Sequence, residues 1–282
     1  MFPLRRLLAA LGAALWIALL LPVQIVLLKA GSPLARSLPR LFHRGACFLL
    51  RIRVETRGTP LTDGPVLFAS NHVSWMDIPV LGSVLKASFI AKHEVSGWPL
   101  FGLLAKCQRT VFIERRARKT IDHRDEMVVR LEQRDCLILF AEGTSGDGLR
   151  VLPYKSAFFS LAERRIGERP LAVQPVSIAF TRLNNMPVGR RATQYYAWVG
   201  DEDLLPHLWR YMGAGPGTVV VEFHPPVTIE QFASRKELAN YCRNVTRQGV
   251  DDAKTGRPPR RGPLPLPRPR DEALAAGGGA AG

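Results

Sequence analysis

The spacing of apolar and polar positions divides the chain into distinct stretches. Residues 7–28 carry no charge and are mostly Leu, Ala, Val and Ile. As a helix this stretch would be about 33 Å long, against a bilayer hydrocarbon core of about 30 Å. Pro22 and Gln24 interrupt it, so a kinked or re-entrant anchor is open beside a simple span. A secretory signal is the alternative, with Arg5 and Arg6 at its basic end and Ala30, Gly31 and Ser32 as a poor cleavage region. The apolar part exceeds the usual length of a signal core, which favours an anchor that is kept. Residues 33–53 then mix Leu38, Leu41, Phe42, Phe48, Leu49 and Leu50 with Arg40, Arg44 and Arg51. That is the pattern of a basic amphipathic helix, either on a lipid surface or packed on the domain with its arginines in water.

From residue 54 onward short apolar runs alternate with helix-period segments. Strands are expected near 65–70, 87–92, 109–114, 136–141, 171–180 and 218–224, and helices near 75–85, 97–106, 120–134, 156–166 and 229–247. Such alternation predicts one α/β domain, a central mixed or largely parallel sheet flanked by helices, preceded by N-terminal membrane-associated helices. Beyond about residue 252 the composition turns to Pro, Arg, Gly and Ala, which cannot bury a core. Three regions follow: an anchor with its amphipathic helix over 1–53, a folded domain over 54–250 and a disordered tail over 251–282.

Charge narrows the class of partner. A formal net charge of +15 over 282 residues implies an anionic surface or partner. The chain has no zinc-finger spacing and no RNP-type aromatic run, so nucleic acid is not expected and an anionic membrane comes first. Lys29, Arg36, Arg40, Arg44, Arg51 and Arg53 follow the apolar stretch and outnumber the basic residues before it. By the positive-inside rule the domain is expected on the cytoplasmic side, and the expected location is the cytoplasmic face of the inner membrane. Cys47, Cys107, Cys136 and Cys242 are far apart without a C-x-x-C pair, which suggests buried free thiols in a reducing compartment.

The candidate chemistry centres on Asn71-His72-Val73-Ser74-Trp75-Met76-Asp77, between the apolar runs 66–69 and 78–81. On a continuous helix His72 and Asp77 would point about 140° apart. They meet only if His72 lies in a turn and Asp77 in the first helical turn, with Ser74 as N-cap and Pro79 near the helix start. Asp77 would then hold the imidazole tautomer, and His72 would take a proton from a substrate hydroxyl. Neither a G-x-S-x-G serine nor a nearby cysteine supplies a protein nucleophile. The plainer alternative makes Ser74 and Asp77 a capping box and His72 an ordinary turn histidine. Oxyanion donors are expected among the backbone N–H groups near the start of the helix at 75–85.

Polar groups also interrupt the ends of other apolar strands, where open α/β sheets bind ligands. Arg115 follows the strand at 109–114, and Glu142-Gly143-Thr144-Ser145-Gly146-Asp147-Gly148 follows the one at 136–141. Tyr154-Lys155 and Val173-Gln174-Pro175-Val176 come after. Arg115 and Lys155 suit a phosphate or carboxylate, and the glycine at 143 lets backbone N–H groups approach a ligand. Taken singly, Arg115 beside Arg116, Arg118 and Lys119 also fits a solvated basic surface, and the glycine-rich segment fits a plain turn. A metal hydrolase using His72, Asp77, His93 and Glu94 is disfavoured, because no H-E-x-x-H or similar ligand spacing appears.

The order NHVSWMD, AKHEVSGWPLFG, TVFIERR, FAEGTSGDG with LPYKSA, then VQPV resembles the glycerolipid acyltransferases that acylate lysophosphatidate, over about residues 50–225. The resemblance implies His72 and Asp77 as the catalytic pair, and Arg115, Glu142, Gly143, Thr144 and Lys155 as acceptor-binding residues. It further implies Pro175 in the acyl-binding region, with no metal and no cofactor. The family's third block reads E-G-T-R-S, whereas Ser145 stands here in place of the arginine. The sequence around that departure resembles the branch that acylates lyso-ornithine lipid, whose head group needs no phosphate clamp. Lysophosphatidate is the alternative acceptor, since Arg150 or Lys155 can replace the lost charge, and a non-catalytic lipid-binding protein is a further one. The implied acyl donor is a thioester of acyl carrier protein or coenzyme A.

Overall fold

The computed structural model describes residues 2–113, 120–200, 202–258 and 265–266. In chain order it has α1 (Phe2–Lys29), α2 (Leu38–Leu49), β1 (Ile52–Arg57), β2 (Val66–Ser70), α3 (Asp77–Val84), β3 (Ser88–Lys92), α4 (Phe101–Cys107), β4 (Val111–Ile113), α5 (Thr120–Glu132) and β5 (Leu137–Phe140). Then come a 3-10 helix over Ser156–Glu163, β6 (Arg165–Ile166), β7 (Arg169–Pro170), β8 (Ala172–Leu183), β9 (Met186–Pro187), α6 (Thr193–Tyr196), α7 (Leu204–Ala214), β10 (Gly217–Phe223) and α8 (Arg235–Thr255). The main sheet runs β1-β10-β8-β2-β5-β3-β4, with β9 paired to β8. All neighbours are parallel except β10 with β8 and β8 with β9, so the sheet is mixed as expected.

Alternation along the strands sorts the core into two layers. Leu67, Ala69, Leu139, Val173 and Ala179 face Leu238, Cys242 and Val245 of α8. Val66, Phe68, Ile138, Val176 and Ile178 face Cys47 of α2 and Val80 and Leu81 of α3. Every residue of β2 is buried, which explains why its sequence is a continuous apolar run without a polar face. The pairing of Ser70 with Phe140 and Val176 sets the ends of β2 and β5 side by side. The chain leaves both strands there, and the site forms at that edge.

The expected strands at the site are all present, but several elements differ. β1 lies partly within the stretch expected to be amphipathic helix: α2 stops at Leu49, Arg51 turns the chain with φ 55°, and Ile52 starts an edge strand. Arg53, Glu55 and Arg57 stud that strand with charge, which hides it from a search for apolar runs. The helix expected at 156–166 is a 3-10 helix followed by the short β6–β7 pair. α6 (Thr193–Tyr196) and α7 (Leu204–Ala214) stand where no element was expected. α8 starts later and ends later than the expected 229–247, because Ser234 caps it and Gly256, with φ 70°, ends it. Residues 259–264 and 267–282 of the expected tail lie outside the described residues.

α1 runs unbroken through Pro22 and lies along the domain. Trp16 Nε1 donates to Phe42 O at 3.1 Å, and Gln24 Nε2 donates to Ala35 O at 2.9 Å and Cys107 O at 2.8 Å. The opposite face is an exposed apolar stripe of Leu7, Leu11, Leu15, Leu19, Val23 and Val26. All four cysteines are free, and Cys47, Cys107 and Cys242 are buried while Cys136 is half-buried.

Candidate active site

β2 ends at Ser70, and Asn71 continues its pairing with a side chain. Asn71 Nδ2 donates to Ile178 O at 3.0 Å, and Ile178 N donates to Asn71 Oδ1 at 2.8 Å. The carboxamide thus stands in for one more residue of strand and frees the backbone to turn at His72. The turn delivers the His72 ring over Phe140, the last residue of β5, with centroids 4.0 Å apart and planes 18° from parallel. His72 keeps 17% of its side-chain surface exposed, whereas Asp77 is fully buried.

His72 Nδ1 lies 2.8 Å from Asp77 Oδ2. The same oxygen accepts the N–H of Val73 at 2.6 Å and of Ser74 at 3.0 Å. With Nδ1–H donating to a carboxylate, the other ring nitrogen, Nε2, is left as the proton acceptor. Asp77 therefore makes the dyad and the carboxylate half of a capping box at once, and the two sequence readings turn out to be compatible. The expected hydroxyl half is missing. The N-cap position is Met76, and Ser74 Oγ is buried with no partner among the described residues. The helix-start N–H groups expected to serve an oxyanion are largely committed: Val73 and Ser74 to Asp77, Asp77 N to Ser74 O at 3.0 Å, and Ile78 N to Trp75 O at 3.2 Å.

The loop after β5 holds the His72 backbone from both sides. His72 N donates to Glu142 Oε1 at 3.3 Å, and Gly146 N donates to His72 O at 2.8 Å. Glu142 is buried, and its Oε2 has no partner among the described residues. Burial pushes its carboxyl up to about 8, against the opposing pull of its backbone hydrogen bonds to His72 and Leu152. Glu142, expected as an acceptor contact, holds the backbone of the turn that carries His72.

Gly143 has φ 70°, and a Cβ there would lie 3.0 Å from the Phe158 ring and 3.2 Å from Lys155 Cδ, so the position demands glycine on two counts. Lys155 N donates to Ala141 O at 2.9 Å, and its exposed stem passes over Gly143. Thr144 is exposed at the same loop. Gly143, Thr144 and Lys155 are thus gathered at the end of β5, on the loop that holds His72. Arg115, expected to contact the acceptor, lies outside the described residues. Pro175 pairs with Ala69 inside the sheet and is buried. By strand alternation it shares the α8 face with Val173 and Ala179, on the other side from the His72 ring and Phe140.

Two contributors escaped the sequence reading. Phe140 looked like one more apolar strand residue, and only its place opposite Ser70 makes it the seat of the imidazole. Trp198 N donates to Val73 O at 3.0 Å, and Ser145 Oγ donates to Trp198 O. Ser145 therefore ties a distant loop to the turn that carries His72, and Trp98 lies edge-on to Trp198 with centroids 6.3 Å apart. Nothing in the local sequence near 198 marks that role. His93 and Glu94 are exposed, and among the described residues no three His, Cys, Asp or Glu side chains form a metal-binding group.

Comparison with known proteins matches residues 51–179 to the family described as Acyltransferase. The chain is 43% identical over 242 residues to the lyso-ornithine lipid O-acyltransferase of Brucella abortus, covering 84% of this chain and 91% of that protein. It is 39% identical to the protein of that name from Rhizobium meliloti, covering 84% and 83%. It is also 36% identical to the 1-acyl-sn-glycerol-3-phosphate acyltransferase of Neisseria gonorrhoeae, covering 74% and 81%. The fold is that of the crystal structure of the 1-acyl-sn-glycerophosphate acyltransferase PlsC from Thermotoga maritima, with a TM-score of 0.66 at 24% identity over 93% of this chain and 100% of that one.

Proposed function

We propose that this chain, which belongs to the acyltransferase family, moves a fatty acyl group from a thioester to the free hydroxyl of lyso-ornithine lipid, with His72 as the base and Asp77 as its partner. The enzyme is a lysolipid acyltransferase. The acceptor hydroxyl gives its proton to His72 Nε2 while its oxygen attacks the thioester carbonyl. Asp77 stabilises the imidazolium that forms. The tetrahedral oxyanion collapses, the carbon–sulfur bond breaks, and the leaving thiolate takes the proton back from His72. The products are the ester and a free thiol, and the sequence of steps consumes no cofactor.

The observation that carries this reading is the 2.8 Å contact of His72 Nδ1 with a carboxylate oxygen already fixed by two backbone N–H groups. A base held so firmly at the end of a sheet, stacked on Phe140 and still partly exposed, is built to meet a hydroxyl arriving from outside. Ser145 supports the phosphate-free acceptor. Its hydroxyl is engaged with Trp198, so the position brings no cation to the head group. The relatives from Brucella abortus and Rhizobium meliloti carry the same acceptor in their names. Lysophosphatidate is the second reading, supported by the Neisseria gonorrhoeae relative; Arg115, Thr144 and Lys155 would then hold its phosphate.

The membrane association follows from α1, whose exposed stripe is apolar along its length. The pinning of its other face to α2, α4 and the α1–α2 connection supports an α1 that lies within one leaflet, and the excess of basic residues after it supports the cytoplasmic face of the inner membrane. The positive charge draws both the anionic leaflet and an acidic acyl carrier protein, with coenzyme A as the alternative carrier. The test offers purified enzyme both lysolipids side by side with each acyl donor and measures released thiol and acylated product. Preference for lyso-ornithine lipid supports the assignment, and preference for lysophosphatidate transfers it to the second acceptor.

A further inference from the structure

At the end of the sheet opposite His72, where β3, β4 and β5 begin, the structure holds a cavity of about 330 Å³. Arg36 and Arg40 line it from the α1–α2 connection and α2, Lys86 from just before β3, Arg109 from before β4, and Arg134 and Asp135 from before β5. Asp135 is 7% exposed and is met by Arg36 Nε at 3.4 Å, Arg109 Nη2 at 2.8 Å and Arg130 Nε at 2.6 Å. Arg130 is held further by Ser88 Oγ at 2.8 Å and Arg109 O at 3.0 Å. One carboxylate can neutralise only one of these three guanidinium groups. Asp135 is also the sole acidic residue among those lining the cavity, against five cations.

Like charges gathered in a recess repel one another unless an anion joins them. Burial, with Arg130 and Arg36 close by, already pushes the Arg109 guanidinium below its ordinary value. Arg109 and Arg134 each have φ 62°, at the C-terminal turns of α4 and α5. That backbone position usually takes glycine or asparagine, yet arginine fills it both times and lines the same cavity. The wall also adjoins exposed apolar surface. Leu34 and Leu41, exposed by 62% and 48%, flank Arg36 and Arg40, and Gln24 of α1 is bonded to Ala35 of the lining.

We propose that this cavity seats the phosphate of an anionic membrane phospholipid, held by Arg36, Arg40, Lys86 and Arg134, at a site separate from that of acyl transfer. The Asp135 cluster is its rigid floor, and Leu34 and Leu41 run beside the lipid's acyl chains. The enzyme would thereby take a fixed stance on the leaflet in addition to the general pull of its charge.

The test uses the full chain in nonionic detergent micelles and follows Tm while phosphatidylglycerol, phosphatidylcholine or inorganic phosphate is added. Phosphatidylglycerol should raise Tm well beyond phosphatidylcholine at equal concentration. The double variant Lys86→Gln/Arg134→Gln changes only exposed side chains, so it should fold, and it should need about tenfold more phosphatidylglycerol for the same shift. A charge-matched control, Arg169→Gln/Arg190→Gln, alters exposed residues remote in sequence from the cavity lining and should respond as wild type. Equal shifts with the two lipids, or an equal loss in the control, would overturn the site. A shift with inorganic phosphate as large as that with phosphatidylglycerol would overturn the lipid assignment.

Discussion

His72 Nδ1 and Asp77 Oδ2 are 2.8 Å apart, and the oxygen that faces the imidazole also takes the N–H groups of Val73 and Ser74. One atom thus fixes the ring and folds the turn, so the two ways of removing it should differ. Asp77→Asn keeps an oxygen for the backbone donors but loses the charge that stabilises the imidazolium. It should fold normally and lose about 10²–10⁴-fold in kcat. Asp77→Ala strands two buried N–H groups and should in addition lower stability by about 2–4 kcal/mol. His72→Ala should abolish turnover with little change in Tm. Thiol release together with thermal melts separates these outcomes, and an active Asp77→Asn enzyme would refute the dyad.

Glu142 gives a pH signature. Burial raises its folded-state value from 4.5 to about 8, so the folded protein binds a proton there that the unfolded chain releases. The stability this contributes is fully present below about 4.5 and is lost as pH rises to about 8, beyond which stability no longer changes on its account. Glu142→Gln keeps an oxygen for His72 N and carries no charge. It should flatten the fall in stability across that window and gain up to a few kcal/mol at alkaline pH, at about 1.4 kcal/mol for each pH unit the window spans. Chemical denaturation at a series of pH values checks this, and an unchanged slope would show Glu142 ionised in the fold.

Ser145 is bonded to Trp198 and carries no charge, so two substitutions there separate its structural contact from the choice of acceptor. Ser145→Ala removes one hydrogen bond to the loop that meets Val73 and should cost about 1 kcal/mol in kcat/KM with either acceptor. Ser145→Arg should reduce turnover of lyso-ornithine lipid while lowering KM for lysophosphatidate. Arg115→Ala should weaken lysophosphatidate by about 2 kcal/mol or more if Arg115 meets its phosphate. A strong wild-type preference for lysophosphatidate, unaltered by Ser145→Arg, would assign the phosphate acceptor.

Deleting α1 would uncover the seats of Trp16 and Gln24 and confuse folding with anchoring, so its exposed stripe makes the cleaner test. Leu15 and Leu19 are 63% and 61% exposed. Leu15→Lys with Leu19→Lys should leave Tm in detergent unchanged and shift the protein from sedimented membranes towards the supernatant, most clearly at high salt. Full retention on membranes would show that the anchor lies elsewhere.

A second constellation looks catalytic and should prove silent. Ser177 Oγ lies 2.6 Å from His224 Nε2, and His224 Nδ1 lies 3.8 Å from Glu222 Oε1, in the order of a hydrolase triad. Gly249 of α8 covers it so closely that a Cβ there would lie 2.4 Å from Ser177 Oγ. Ser177 also donates to Thr246 O at 3.0 Å, and burial holds His224 down at about 4, so it stays neutral. Ser177→Ala should cost about 1–3 kcal/mol of stability and leave acyl transfer intact, as melts and turnover would show.

The sequence by itself determined the strands of the site, the break between His72 and Asp77, and the apolar first helix. Those features rest on local periodicity and turn chemistry, which neighbouring residues specify among themselves. It also marked Gly143, whose φ no other residue adopts as easily. β1 stayed hidden because an edge strand half in water needs only one buried residue, and α6 and α7 because a window judged alone does not reveal which apolar residues find a partner. Tertiary structure alone decided that Phe140 would carry the imidazole, that Glu142 would clamp the turn, that Ser145 would reach Trp198, and that three arginines would meet on Asp135. The Phe140, Glu142 and Ser145 contacts join residues more than fifty positions apart, and the arginines on Asp135 come from the α1–α2 connection, the α4–β4 connection and α5. Strand register and helix packing bring such groups together, and no spacing along the chain records it.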